Sequence, residues 1–256
     1  MKRLTIAILT GLMSASGWSA CTYDLDVTQA TLDAKEPGAK VFPNINVQKG
    51  SFNISSTTTS PNDMKLYILS NNSDKLGSRK GVIVPQNTIY AFEYKFKIPT
   101  NQLTGIEQIV FFPIASTGVN SSGSQTTLIS NLGYLNSSRL GTTPANTISI
   151  SNGDASVILV NHNVTNTPDG YQHIGIYVNP SSKQVGYIIN GVNKGYLANY
   201  DFQIATSTFI FGAGILGFTP TSPNIGKEIS IELITDATKM TQTYPTGTKD
   251  ICGNTI

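Results

Sequence analysis

The chain has 256 residues, 39% of them apolar, with ten Phe and eleven Tyr, enough to bury a sizeable core and to argue against disorder. Only 12% of residues are charged, against roughly 25% in ordinary globular proteins, and the polar surface is built from Ser, Thr, Asn and Gln instead. With Lys2 and Arg3 set aside, 15 basic residues face 15 acidic ones, which leaves no basic face for a nucleic-acid partner.

The first segment has the three parts of a secretory signal. Lys2 and Arg3 form a charged start, Leu4 to Met13 an apolar run, and Ser14 to Ala20 a stretch of small residues. Residues 1–20 are therefore expected to be a signal peptide, and the protein to be exported to the periplasm or beyond. Cleavage after Ala20 puts bulky Trp18 at the third position back; cleavage after Gly17, with Ala15 there, is the alternative. No later apolar run reaches the roughly 18 residues that a membrane helix needs, so the mature chain is expected not to span a membrane. Residues 21–256 are expected to form a single β-sandwich domain, with Ser116 to Ser124 read as a long loop.

Predicted strands follow in chain order. After Lys65 to Leu69 comes the clearest, Ala91 to Ile98. There Phe92, Tyr94, Phe96 and Ile98 alternate with Glu93, Lys95 and Lys97, predicting one face toward a core and one toward water. Ile106 to Phe112, Thr147 to Ile150, Val157 to Val160, His173 to Val178, Val185 to Ile189, Thr208 to Phe211 and Ile229 to Ile234 read the same way. Asn179-Pro180-Ser181-Ser182 and Asn190-Gly191 flank the Val185 run and predict two consecutive hairpins, Asn-Gly because both residues tolerate positive φ. Helical periodicity is scarce, with one turn expected in Asp236 to Thr241, and repeats are absent, which argues against solenoids and propellers.

Cys21 and Cys252 lie at opposite ends of the mature chain, and in an oxidising compartment a disulfide between them is the expected state. Closing so long a loop removes denatured-state entropy equivalent to at most about 5 kcal/mol. The competing reading is a lipoprotein anchored through Cys21, since Trp18, Ser19, Ala20 and Cys21 match a lipobox in every place but the first; it leaves Cys252 as an odd thiol.

From Ile89 to Leu233 the order of segments resembles the concanavalin A-like lectin and glucanase superfamily, most closely its laminin-G-like branch. Ala91 to Ile98 resembles the opening strand and Tyr171 to Val178 the middle strand before a hairpin. Tyr187-Ile-Ile-Asn-Gly191 with Gly195 resembles the branch's tyrosine, aliphatic, Asp-Gly hairpin, with Asn190 where Asp is usual. Phe209-Ile-Phe-Gly212-Ala-Gly214 and Glu228 to Thr235 resemble the strands that follow. The resemblance implies an all-β, jelly-roll sandwich of two antiparallel sheets. The whole chain is also similar to exported Gram-negative proteins of this size that carry no assigned activity.

Glucanases of the superfamily place carboxylates alternately along one strand. No such Glu-x-Asp cluster is present: Asp24 with Asp26, and Glu228 with Glu232 on one strand face, are the nearest, and the latter reads as a solvated face. His162 and His173 lack a nucleophile setting, and with bridged cysteines they do not make a zinc site. No cofactor is expected. The resemblance leaves calcium open through Asn152-Gly153-Asp154 and Asp169-Gly170, both of which read equally as turn formers. For a glycan, Asn161, His162, Asn163, Asp169 and Tyr171 supply amides, a carboxylate and an aromatic ring in one polar segment, with Tyr134 and Asn136 as further contributors.

The expectation is thus a non-enzymatic recognition domain for a carbohydrate or a surface protein. The alternatives are a polysaccharide-active glycosidase and a structural or adhesive surface component that pairs through β edges.

Overall fold

The computed structural model describes residues 21–35, 37–56, 64–70, 81–120, 125–138, 145–151 and 158–256. The expected signal at 1–20 and the Asn152-Gly153-Asp154 turn lie outside them. The first element is a short helix, α1 (Gln29–Lys35), whose Thr28 Oγ1 accepts from Thr31 N at 3.2 Å as an N-cap does. Seven residues are too few for a helical period to stand out in the sequence.

The strands are β1 (Lys40–Val41), β2 (Asn44–Asn46), β3 (Lys49–Asn53), β4 (Met64–Leu69), β5 (Val82–Ile83), β6 (Tyr90–Lys97), β7 (Gln108–Asn120), β8 (Gln125–Ser137), β9 (Ala145–Ser151), β10 (Ile158–Asn163), β11 (Gln172–Asn179), β12 (Gln184–Ile189), β13 (Val192–Asn199), β14 (Ile204–Leu216), β15 (Glu228–Ile234) and β16 (Lys249–Asp250). The first sheet runs β1-β4-β14-β7-β8-β9-β10 with β5 beside β14, and the second runs β13-β12-β11-β6-β15-β3-β2 with β16 beside β6. Pairing is antiparallel except for the two-residue contacts of β1 with β4 and β16 with β6. The protein is an all-β jelly-roll sandwich of two antiparallel sheets.

Alternation builds the interior. On β6 the residues Tyr90, Phe92, Tyr94 and Phe96 are all buried and turn inward. There the Phe92 ring meets Phe209 edge-on at 5.0 Å, Tyr94 meets Phe211 at 5.4 Å, and Phe96 meets Phe111 at 5.8 Å. Such pairs contribute about 0.5–1.5 kcal/mol each beyond their buried area. One cluster of buried residues extends from Cys21 to Ile251. Cys21 and Cys252 are bridged with their Cα atoms 5.8 Å apart, and a sulfur so bonded cannot also carry a lipid thioether.

The hairpin at Asn190-Gly191 forms as the sequence predicts, with φ of 47° and 83°, and joins β12 to β13. Three expectations are corrected. Residues 116–120, read as loop, continue β7 along β8. Asn161-His162-Asn163, placed in a polar segment beyond the strand expected at Val157 to Val160, is the end of strand β10 at the edge of the first sheet.

The third concerns β6, whose outer face is only partly toward water. After Ile234 the chain leaves the second sheet, makes one 3-10 turn at Ala237–Lys239 capped by the Asp236 side chain, crosses the outer face, and returns as β16 beside Tyr90 and Ala91. Glu93, expected at the surface, lies 1% exposed beneath this strap. Its Oε1 accepts from Thr241 N and Gln242 N, both at 2.8 Å, and from the Tyr244 hydroxyl at 3.1 Å, while Oε2 accepts from Thr241 Oγ1 at 3.1 Å. Two glycines make room for the aromatic rings here. A Cβ on Gly175 would stand 2.6 Å from the Tyr244 hydroxyl, and one on Gly186 would stand 2.1 Å from the Tyr177 ring.

Candidate functional site

Where the strap ends, the outer face of the second sheet becomes polar and open. Strand register sets His173 beside Lys95, Lys95 beside Glu232, and Lys97 beside Ser230. Directly opposed residues share a face, so these side chains lie on one side of the sheet, with Ser230 fully buried among them. Residues 164–171 cross onto this face from the first sheet. Their turn is fixed by Gly170 N donating to Thr167 O at 3.1 Å, Thr167 Oγ1 donating to Tyr171 O at 2.6 Å, and Tyr171 N donating to Asp169 Oδ1 at 3.1 Å.

Asp169 lies at the centre of a charged cluster. Its Oδ2 is 2.8 Å from His173 Nε2 and 3.5 Å from Lys95 Nζ. Burial alone would raise its carboxyl, but the hydrogen bonds from His173 and Tyr171 N, with the charges of His173 and Lys95, outweigh that and hold it at about 2. An ionised Asp169 accepts only, so His173 Nε2 carries its proton. Asn190 steadies the same end of β11, accepting from His173 N and donating to Gln172 Oε1, both at 2.8 Å. An Asp, the usual residue of the resembling hairpin, would keep the first bond and lose the second.

On one side of the 166–170 turn lies a cleft of about 460 Å³, lined by Lys97, Pro99, Thr100, Asn101, Asn166, Thr167 and Glu228, with the core residues Ile98 and Ile229 buried behind it. The Lys97 and Glu228 side chains meet at 2.7 Å. That hydrogen bond holds the Glu228 carboxyl below the usual range against the opposing effect of burial, and raises Lys97. On the other side is a hollow of about 300 Å³ bordered by Thr167, Asp169, His173, Asn190, Thr241 and Gln242.

The sequence-predicted residues separate. Asp169 and Tyr171 are in the crossing segment, but Lys95 Nζ sits 4.4 Å over the Tyr171 ring, so that face is not a free platform for a sugar. Asn161 and Asn163 are exposed on β10 of the first sheet. His162, opposite the buried Ile148, turns to the inner side, where burial and then the charge of Lys194 lower its pKa.

Tyr134 and Asn136 are buried and shape the cleft indirectly. Asn136 Oδ1 accepts from Leu103 N at 2.9 Å, its Nδ2 donates to Asn101 O at 3.0 Å, and Tyr134 OH donates to Pro99 O at 3.3 Å. They therefore hold the loop that carries Thr100 and Asn101. Asp169-Gly170 forms the turn expected of it, and three nitrogen donors approach the Asp169 carboxyl from the protein side.

Sequence reasoning missed Lys97, Asn101, Asn166, Thr241 and Gln242 as site residues. The outward phase of Lys97 on β6 and of Glu228 on β15 was the one available signal, and it lacked the register that joins them.

Among solved structures the chain is similar to a sialidase (TM-score 0.35, 11% identity, covering 73% of this chain and 14% of that one). It is also similar to the marine PL7 alginate lyase AlyA1 of Zobellia galactanivorans (0.34, 10% identity, 59% and 62%) and to the potassium-bound carbohydrate recognition domain of Emp46p (0.37, 10% identity, 67% and 78%). The chain thus spans about a seventh of the sialidase's length. Superpositions this loose carry no argument about activity or ligand. No curated protein matches, while the family model described as Domain of unknown function (DUF4882) matches residues 2–254.

Proposed function

Since the chain belongs to that family of unknown function, we propose its role from the site itself: it is an exported recognition domain that binds a glycan in the 460 Å³ cleft and does not cleave it. The observation that carries this reading is the Lys97–Glu228 pair at 2.7 Å, set among the hydroxyls and amides of Thr100, Asn101, Asn166 and Thr167 beside Pro99. Sugars combine hydroxyls that need donors and acceptors with C–H faces that prefer apolar contact, and sites of this make-up serve both.

Binding is favoured over hydrolysis by the state of the carboxyl groups. A glycosidase needs one raised carboxylic acid as proton donor, whereas Glu228 and Asp169 are both held on the ionised side. A disulfide between Cys21 and Cys252 supports an oxidising location outside the cytoplasm.

A glycan array followed by isothermal titration tests the reading. Glu228→Gln and Asn101→Ala are expected to weaken the best glycan by about tenfold each, the loss of one or two hydrogen bonds, with no reducing sugar released from a polysaccharide panel. Affinity unchanged by both substitutions removes the cleft from the assignment, and sugar release replaces the binding role with catalysis.

A further inference from the structure

The cleft and the smaller hollow are two sides of one structure. Thr167 borders both, and the turn at 166–170 stands between them. That turn is a fixed divider, because Gly170 N, Thr167 Oγ1 and Tyr171 N are each tied within it. The smaller side repeats the chemistry of the larger: a carboxylate beside a nitrogen donor, Asp169 with His173, a hydroxyl at Thr241, and amides at Asn190 and Gln242.

Gln242 is positioned from two directions. Its Oε1 accepts from Gly191 N at 2.9 Å, and its own N–H is held by Glu93 at 2.8 Å. One hydrogen of its amide group points to Thr241 Oγ1 at 3.3 Å, which leaves the second for a ligand. Asp169, with its side chain 45% exposed, offers about four lone-pair directions, and Tyr171 N, His173 and Lys95 approach it from the protein side.

Charges across the two hollows are matched. Lys95 meets Asp169 and Lys97 meets Glu228, while Lys227 reaches Asn224 Oδ1 at 2.8 Å, and the amide of Asn224 in turn meets Glu107 at 2.9 Å. With Lys49 opposite Glu232 in the strand register, four lysines (Lys49, Lys95, Lys97, Lys227) stand among four acidic side chains (Glu107, Asp169, Glu228, Glu232), and the surface makes no net electrostatic demand on its occupant.

We infer that the ligand is a neutral oligosaccharide of at least two units, laid across the 166–170 ridge with one unit in the cleft and the next in the hollow beside His173 and Gln242. The inference rests on the glycan reading of the larger cleft, and it extends the site to the strap formed by residues 235–250. The strap is then a wall of the binding surface as well as a cover for Glu93.

The test is calorimetric titration with a length series, one to five units, of the best neutral glycan from the array, beside an acidic series of matched length. Affinity is expected to rise by about tenfold when a second unit is added and then to level off. Gln242→Ala and His173→Ala are expected to abolish that rise while leaving the single unit bound within about twofold of the unaltered protein, and Asn101→Ala to weaken every length. Melting temperatures of the variants establish that they fold, and Gln242→Ala, on the surface strap, is the control should His173→Ala fail to do so.

Equal affinity for one unit and three, a rise that survives Gln242→Ala, or preference for the acidic series overturns the two-hollow site while leaving the glycan reading intact. Binding of no glycan overturns both.

Discussion

The two halves of β6 carry the same alternating sequence and meet opposite fates. In the first half the outward residues Ala91 and Glu93 are 0% and 1% exposed, sealed by a strap from about 150 residues further along. In the second half the outward side chains of Lys95 and Lys97 are 26% and 44% exposed and border the candidate site. The difference teaches that the phase of a strand decides which way a side chain points but not what lies beyond it. A carboxyl group under the strap is an anchor; the lysines past its end reach solvent and pair with Asp169 and Glu228.

That contrast can be broken most forcefully at the disulfide. Replacing Cys21 and Cys252 together by Ser removes a closed loop of 231 residues and is expected to lower stability by up to about 5 kcal/mol, read by denaturant titration. If stability changes by less than about 1 kcal/mol, the ends are held by the strap's own contacts. Glu93→Ala is next. It strands the N–H groups of Thr241 and Gln242 over a closed face and is expected to cost about 3 kcal/mol, with faster amide exchange confined to the strap. An unchanged exchange rate there would mean that Glu93 is not the anchor.

The smallest effect lies on the open half. Asp169 titrates at about 2 instead of 3.8, so its contribution is complete above pH 3.8 and is lost as pH falls through about 2. With its side chain 45% exposed, screening reduces that contribution to under about 1 kcal/mol. Asp169→Asn should lower stability by that amount across the neutral range, remove the decline between pH 4 and 2, and leave stability below pH 2 unaltered.

The same contrast explains what the sequence could reveal. β6, β11, β12 and the Asn190-Gly191 turn are legible because their patterns are local: period two, β-branched and aromatic residues, and a dipeptide suited to positive φ. β8 is not, since its inward positions include Asn136, a fully buried amide that breaks the apolar alternation in order to hold the loop at 101–103. The strap is illegible for another reason. Thr241, Gln242 and Tyr244 have no period, and their value comes from meeting Glu93 across the chain. The site shares that property. Asp169 and Tyr171 could be selected for their chemistry, but Lys97 joins Glu228, and Asn101 joins Asn166, only through the order of strands in the sheet.

That strand order also bears on how the protein reaches its fold. In the first sheet β14 bridges β4 and β7, and in the second β15 bridges β3 and β6, so both sheets are completed by segments that follow residue 204. Until those segments arrive, the earlier strands present unpaired edges. Contacts this distant place refolding at the slow end of the range for β proteins, on the order of seconds, with a late joining of both sheets together. Until both late strands arrive, those early edges are the segments most exposed to pairing with one another.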